Sequence, residues 1–115
     1  MPPHPNPARR RFRRRTIRVL VDYPVDGAIR CEYATTLGAG GLFLECDEPL
    51  PLGSLLKLRF RLPHEEDLHE IEGRVSWFLA PGDPRRGSQP PGMGVEFTDA
   101  LAASKLAHAL ERIPE

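Results

Sequence analysis

Apolar and polar positions alternate along most of the chain, with breaks rich in glycine and proline. In residues 17–23, Ile17, Val19, Val21 and Tyr23 share one face while Arg18, Leu20 and Asp22 share the other, the period of a half-buried strand. Residues 24–27 form a turn whose Asp26-Gly27 pair is a hairpin signal. A second strand over 28–36 then returns antiparallel, with Ile29, Cys31 and Tyr33 alternating against Arg30, Glu32 and Ala34. Residues 42–46 give a third strand. Residues 55–62 give a fourth, with Leu56, Leu58, Phe60 and Leu62 facing the core. Residues 69–79 give a fifth, in which Ile71, Gly73, Val75 and Trp77 share a face, and residues 92–97 a last one. Trp77 and Phe97 are expected in the core rather than at a ligand.

After residue 97 the period changes. Thr98-Asp99 offers an N-cap, and Ala102, Leu106, Ala109, Leu110 and Ile113 form one apolar stripe at helical spacing over 99–113. Short strands followed by one amphipathic helix predict an all-β fold with one C-terminal helix, a six- to seven-stranded antiparallel barrel. Residues 80–91 carry four prolines and two glycines and are expected to be a long surface loop, with Arg85 and Arg86 a solvated pair on it. Residues 1–8, with four prolines, are expected to be a disordered leader, and residues 9–115 a single domain.

Composition narrows the class. The chain has 115 residues, 40% of them hydrophobic and 28% charged, enough for one domain that needs neither disulfide nor metal. No stretch approaches a membrane span and the start lacks a signal-peptide core, so a cytoplasmic location without membrane insertion is expected. Cys31 and Cys46 sit in strands beside apolar neighbours and are expected to be buried free thiols. The histidines at 4, 64, 69 and 108 are scattered and give no metal-ligand spacing. Asp99, Ser104 and His108 make no nucleophilic arrangement, so the chain is read as non-enzymatic and without cofactor. Glu65, Glu66, Asp67, Glu70 and Glu72 read as a solvated acidic edge.

The formal net charge of zero conceals a division. Seven arginines and no acid lie before residue 19, whereas nine Lys and Arg face sixteen acids after it, leaving +7 and −7. Arginine is a permanently charged planar fork suited to phosphate oxygens and to the O6/N7 edge of guanine. This arm leads directly into the first strand, and the glycine-rich run Gly38-Ala39-Gly40-Gly41 follows the second. A tight hairpin makes those two ends neighbours, so arginines could close on a ligand that approaches glycine backbone and its bare N–H groups.

The motifs resemble those of the PilZ domain family, bacterial receptors for the second messenger cyclic di-GMP. Arg10-Arg11-Phe12-Arg13-Arg14 matches RRxxR before the first strand. The second motif, [DN]xSxxG, falls on Thr36, Gly38 and Gly41, of which only Gly41 agrees. Gly40-Gly41-Leu42-Phe43-Leu44, Pro49-Leu50-Pro51-Leu52-Gly53, Gly73-Arg74-Val75-Ser76-Trp77 and Gly92-Met93-Gly94-Val95-Glu96-Phe97 follow in the family's order. The resemblance covers residues 9 to 112.

It implies a site at Arg10, Arg11, Arg14, Thr36, Gly38 and Gly41. In typical members the arginines clamp phosphates and guanine edges of an intercalated cyclic di-GMP dimer, and the Asp or Asn and the Ser bond one guanine and the adjoining ribose-phosphate. Thr36 keeps one hydroxyl and Gly38 no side chain. The leading reading is a cytoplasmic receiver of cyclic di-GMP, in bacterial motility or biofilm control, that relays the signal to an unidentified protein effector through ordering of the arm. The second is a degenerate domain that has lost the nucleotide and acts as a protein adaptor. The third is nucleic-acid binding through the arm. Monomer and homodimer are both compatible with the sequence.

Overall fold

The computed structural model describes residues 17–113. Its strands are β1 (Val19–Val25), β2 (Ala28–Leu37), β3 (Gly41–Glu45), β4 (Leu55–Arg61), β5 (Leu68–Leu79) and β6 (Gly92–Phe97), followed by α1 (Ala100–Glu111). The six strands close into an antiparallel barrel in the order β1-β2-β3-β6-β5-β4. Among the described residues no helix is long and apolar enough to cross a membrane.

Local chemistry explains each element. Asp26 and Gly27 have φ of 50° and 81°, the double positive φ of a two-residue hairpin turn whose twist suits its strands. β1 therefore runs on to Val25, beyond the expected end at Tyr23. β4 alternates without interruption, its Leu56, Leu58 and Phe60 buried between exposed neighbours. The loop of residues 80–91 contains one short 3-10 turn, Pro84–Arg86, capped by the Asp83 carboxylate.

The barrel is filled by Val19, Val21, Tyr23, Leu42, Leu44, Leu56, Leu58, Ile71, Val75, Met93 and Val95, with Phe97 partly buried against them. Gly73 belongs to this interior, where a side chain would meet Val95 and Leu58. One mouth of the barrel is closed by α1 through Leu106, Ala109 and Leu110. The helix starts where expected because the Asp99 carboxylate accepts from the Ala102 N–H, and it ends at Glu111, short of the expected 113. Its far end is fixed by the Arg112–Glu65 pair at 2.9 Å, which draws Glu65 out of the solvated edge expected for it.

Two expectations about faces fail. Register pairs Val19 with Ala34, Val21 with Glu32 and Tyr23 with Arg30. Opposed residues share a face, so Arg30, Glu32 and Ala34 are the inner set of β2, while Ile29, Cys31 and Tyr33 lie outside. Cys31 is accordingly exposed; of the two thiols only Cys46 is buried. The polar inner residues are accommodated because this part of β2 runs past β3: Arg30 donates to the Glu48 carbonyl at 2.9 Å, and the Tyr23 hydroxyl donates to Glu32 at 3.3 Å. The second failure is Trp77, which a bulge between Val75 and Trp77 turns out of the core.

Candidate functional site

The mouth closed by α1 gathers the start of β1, the β2–β3 turn and the end of β6. Leu37 and Ala39 of the turn are buried, and the turn is tied twice: the Gly38 N–H donates to the Gly41 carbonyl at 3.0 Å, and the Phe97 N–H donates to the Gly40 carbonyl at 2.9 Å. Gly38 is buried and its N–H is taken, so it is not the bare donor that the glycine run suggested. Gly41 has a packing role: a Cβ there would lie 2.2 Å from the Val95 carbonyl oxygen, so this close approach between β3 and β6 admits only glycine.

Thr36 owes its position to a bulge. The register shifts between Ala34 and Thr36, so that Ala34 and Leu37 both point inward and Thr36 stands outside, opposite Phe43. Phe43 in turn opposes Gly94, and Gly94 opposes Trp77. The four residues form one row across the outer face of β2, β3, β6 and β5.

Aromatic rings fill that row because β6 has no side chains there. A Cβ on Gly94 would lie 2.0 Å from the Trp77 indole nitrogen, and one on Gly92 would lie 2.6 Å from the Phe43 ring. The indole therefore lies over one glycine and the phenyl over the other, stacked with centroids 5.2 Å apart and planes inclined by 23°. Phe43 is covered by this arrangement, but Trp77 remains 41% exposed. A groove beside it is lined by Leu52, Ser76, Phe78, Leu79 and Arg85. Arg85 is not a loose loop cation: it pairs with Asp83 at 2.7 Å, which holds that carboxyl down at about 2. Arg86 donates to the Pro81 and Gln89 carbonyls.

Further along the outer face of β2 is Tyr33, whose ring carries the Arg18 guanidinium 4.2 Å above its centroid. Arg18 is the last arginine of the basic run. The structure thus brings Arg18, Tyr33, Thr36, Phe43 and Trp77 onto one surface. Of the expected site, Thr36, Gly38 and Gly41 are near one another on the β2–β3 connection, and Arg10, Arg11 and Arg14 lie outside the described residues. Trp77 was missed by alternation. The signal available for it was Gly92-x-Gly94, two glycines on one strand face, which leave room for an aromatic ring from the next strand.

Solved structures share this fold, three of them as follows. Inhibitor of motility MotI/DgrA of Bacillus subtilis superposes with a TM-score of 0.73 at 24% identity over 97% of this chain and 56% of that one. The chain thus spans little more than half of that protein. The PilZ domain with c-di-GMP of YcgR from Escherichia coli gives 0.63 at 15% identity, covering 90% and 92%. The PilZ domain of CeSA from a cellulose-synthesizing bacterium gives 0.57 at 17%, covering 87% and 99%. A search of curated proteins returns no match. The PilZ domain family model matches residues 8–113, which is nearly the whole sequence, and the chain therefore belongs to the PilZ domain family.

Proposed function

We propose that this chain is a non-enzymatic cytoplasmic receiver that binds cyclic di-GMP on the outer face around Thr36 and Trp77, under an arm supplied by Arg10, Arg11 and Arg14. The observation that carries this reading is the cross-strand row Thr36, Phe43, Gly94 and Trp77, which carries a hydroxyl at one end and an exposed, ring-backed indole at the other. A guanine stacks on such a surface, and stacking on an aromatic is worth about 1–3 kcal/mol per base. Arg18, the last arginine of the run, lies over Tyr33 on the same face, and phosphate charge would relieve the mutual repulsion of the arm's arginines and fold the arm against the barrel. The changed face then recruits or releases a protein effector. The related YcgR domain carries c-di-GMP on the same fold, which supports the choice of ligand.

A second reading, a nucleotide-free adaptor, is favoured by Thr36 and Gly38 themselves. With each good polar base contact worth about 1–3 kcal/mol, the two weakened contacts cost about 10- to 1,000-fold or more in affinity. Calorimetric titration with cyclic di-GMP at physiological salt separates the readings. The receiver reading expects saturable binding that is lost in Arg10→Ala and Arg14→Ala and tightened in Thr36→Asp/Gly38→Ser. Heat from the restored variant alone identifies the adaptor.

A further inference from the structure

The glycines of β6 also set the order of the aromatic stack. The Phe43 ring lies over Gly92 and the indole of Trp77 over Gly94, so the stack runs along β6 in that order. Outward positions of a strand recur about every 6–7 Å, close to the 5.2 Å between these rings, and the next outward residue of β6 is Glu96. A further ring laid on the indole, on the side away from Phe43, therefore comes to rest at Glu96.

Glu96 belongs to a second cross-strand row. It opposes Gly41 of β3 on one side and Arg74 of β5 on the other, and both charged residues are exposed. Gly41 has no side chain to fill the place beside the carboxylate, and it joins the row to the turn that follows Thr36 and Gly38. Among the described residues no ion pair takes up the charge of Glu96 or Arg74, whereas Glu72, the next outward residue of β5, accepts from the Thr98 hydroxyl at 2.9 Å.

A carboxylate only accepts hydrogen bonds and a guanidinium only donates them. Guanine presents, side by side on its perimeter, two donors at N1–H and N2–H and two acceptors at O6 and N7. Glu96 and Arg74 are side by side in the same sense, since directly opposed side chains of a sheet have Cβ atoms about 5 Å apart. We infer that these two residues read a guanine stacked on Trp77, the Glu96 carboxylate accepting from N1–H and N2–H and the Arg74 guanidinium donating to O6 and N7. The assignment rests on the outer face being a cyclic di-GMP site, and it supplies the carboxylate that Thr36 lacks. Adenine has an acceptor at N1 and a donor at N6, the reverse of guanine, so the pair rejects it. A bare phosphate would gain from Arg74 but be repelled by Glu96, so the pair suits a base.

Calorimetric titration of the full chain with cyclic di-GMP and with cyclic di-AMP tests this. The natural sequence should prefer the guanine dinucleotide about 100-fold or more. Glu96→Gln keeps the shape of an exposed side chain, so the melting transition should persist, but its amide sets a donor against a guanine donor. Cyclic di-GMP should therefore bind about tenfold or more weakly to it, and the preference over cyclic di-AMP should narrow. Arg74→Met should narrow the preference as well. A chain that binds cyclic di-GMP while Glu96→Gln keeps both affinity and preference overturns the inference and leaves the receiver reading standing. Tighter binding by Glu96→Gln does the same, since the carboxylate would then only repel phosphate. Binding of neither dinucleotide by the natural sequence removes the receiver reading and the inference with it.

Discussion

β4 keeps a single period from Leu55 to Arg61, whereas β2 and β5 each carry one extra residue, and the two bulged strands supply both ends of the candidate site. In β4 every second side chain is buried, and its task is the core. In β2 and β5 the added residue reverses the facing beyond it, placing Thr36 and Trp77 outside although simple alternation puts Trp77 in. The contrast teaches that regular strands here hold the barrel closed and irregular ones aim side chains at what lies outside it.

The contrast can be tested from both sides. Leu58→Ala in β4 has the largest expected effect on stability, about 3–4 kcal/mol by urea unfolding, because Leu58 is fully buried and its loss leaves a cavity. The native indole fluorescence should not change. Trp77→Ala should do the reverse, costing about 1 kcal/mol of stability from the lost ring pair while weakening cyclic di-GMP binding about tenfold or more. Equal losses of stability from the two variants would erase the distinction.

A smaller effect concerns pH. Burial pushes the Tyr23 phenol up to about 12 and the Cys46 thiol up to about 11, against ordinary values of 10.0 and 9.0. The folded chain favours the neutral forms, so their contribution is complete below pH 9 and is lost as pH rises through 9 to about 12. Melting temperature should fall across that window, and the slope should lessen in Cys46→Ala. The smallest effect lies on the acid side. His69 is buried against the Phe60 ring, its Nε2 without a partner among the described residues, and burial holds its pKa below the ordinary 6.5. The neutral ring is favoured in the fold, so stability present above pH 6.5 is lost on acidification below it. His69→Phe should flatten that limb of a melting-versus-pH series.

Much of the fold was legible because strand period, turn chemistry and capping are local. The Asp26-Gly27 turn, the Asp99 cap and the alternation of residues 55–62 each needed only near neighbours in the chain. The site was less legible. Thr36 and Gly41 could be picked out by motif, but the close approach to Val95 that makes Gly41 necessary involves a strand more than fifty residues away. The outward turn of Trp77 needed the register of β5 on β6.

By itself the sequence determined the six strands, the single helix, the family and the concentration of positive charge ahead of β1, since these depend on residue type and short-range spacing. Tertiary structure decided which face of β2 is inside. Ile29, Cys31 and Tyr33 are the more apolar set, yet the tight hairpin opposes Arg30, Glu32 and Ala34 to Tyr23, Val21 and Val19, and the larger buried side chains of β1 fix the facing of both strands. It also decided that Phe43 and Trp77 meet over two glycines, because a stack between residues distant in sequence exists only once the barrel has closed and brought β3, β6 and β5 side by side.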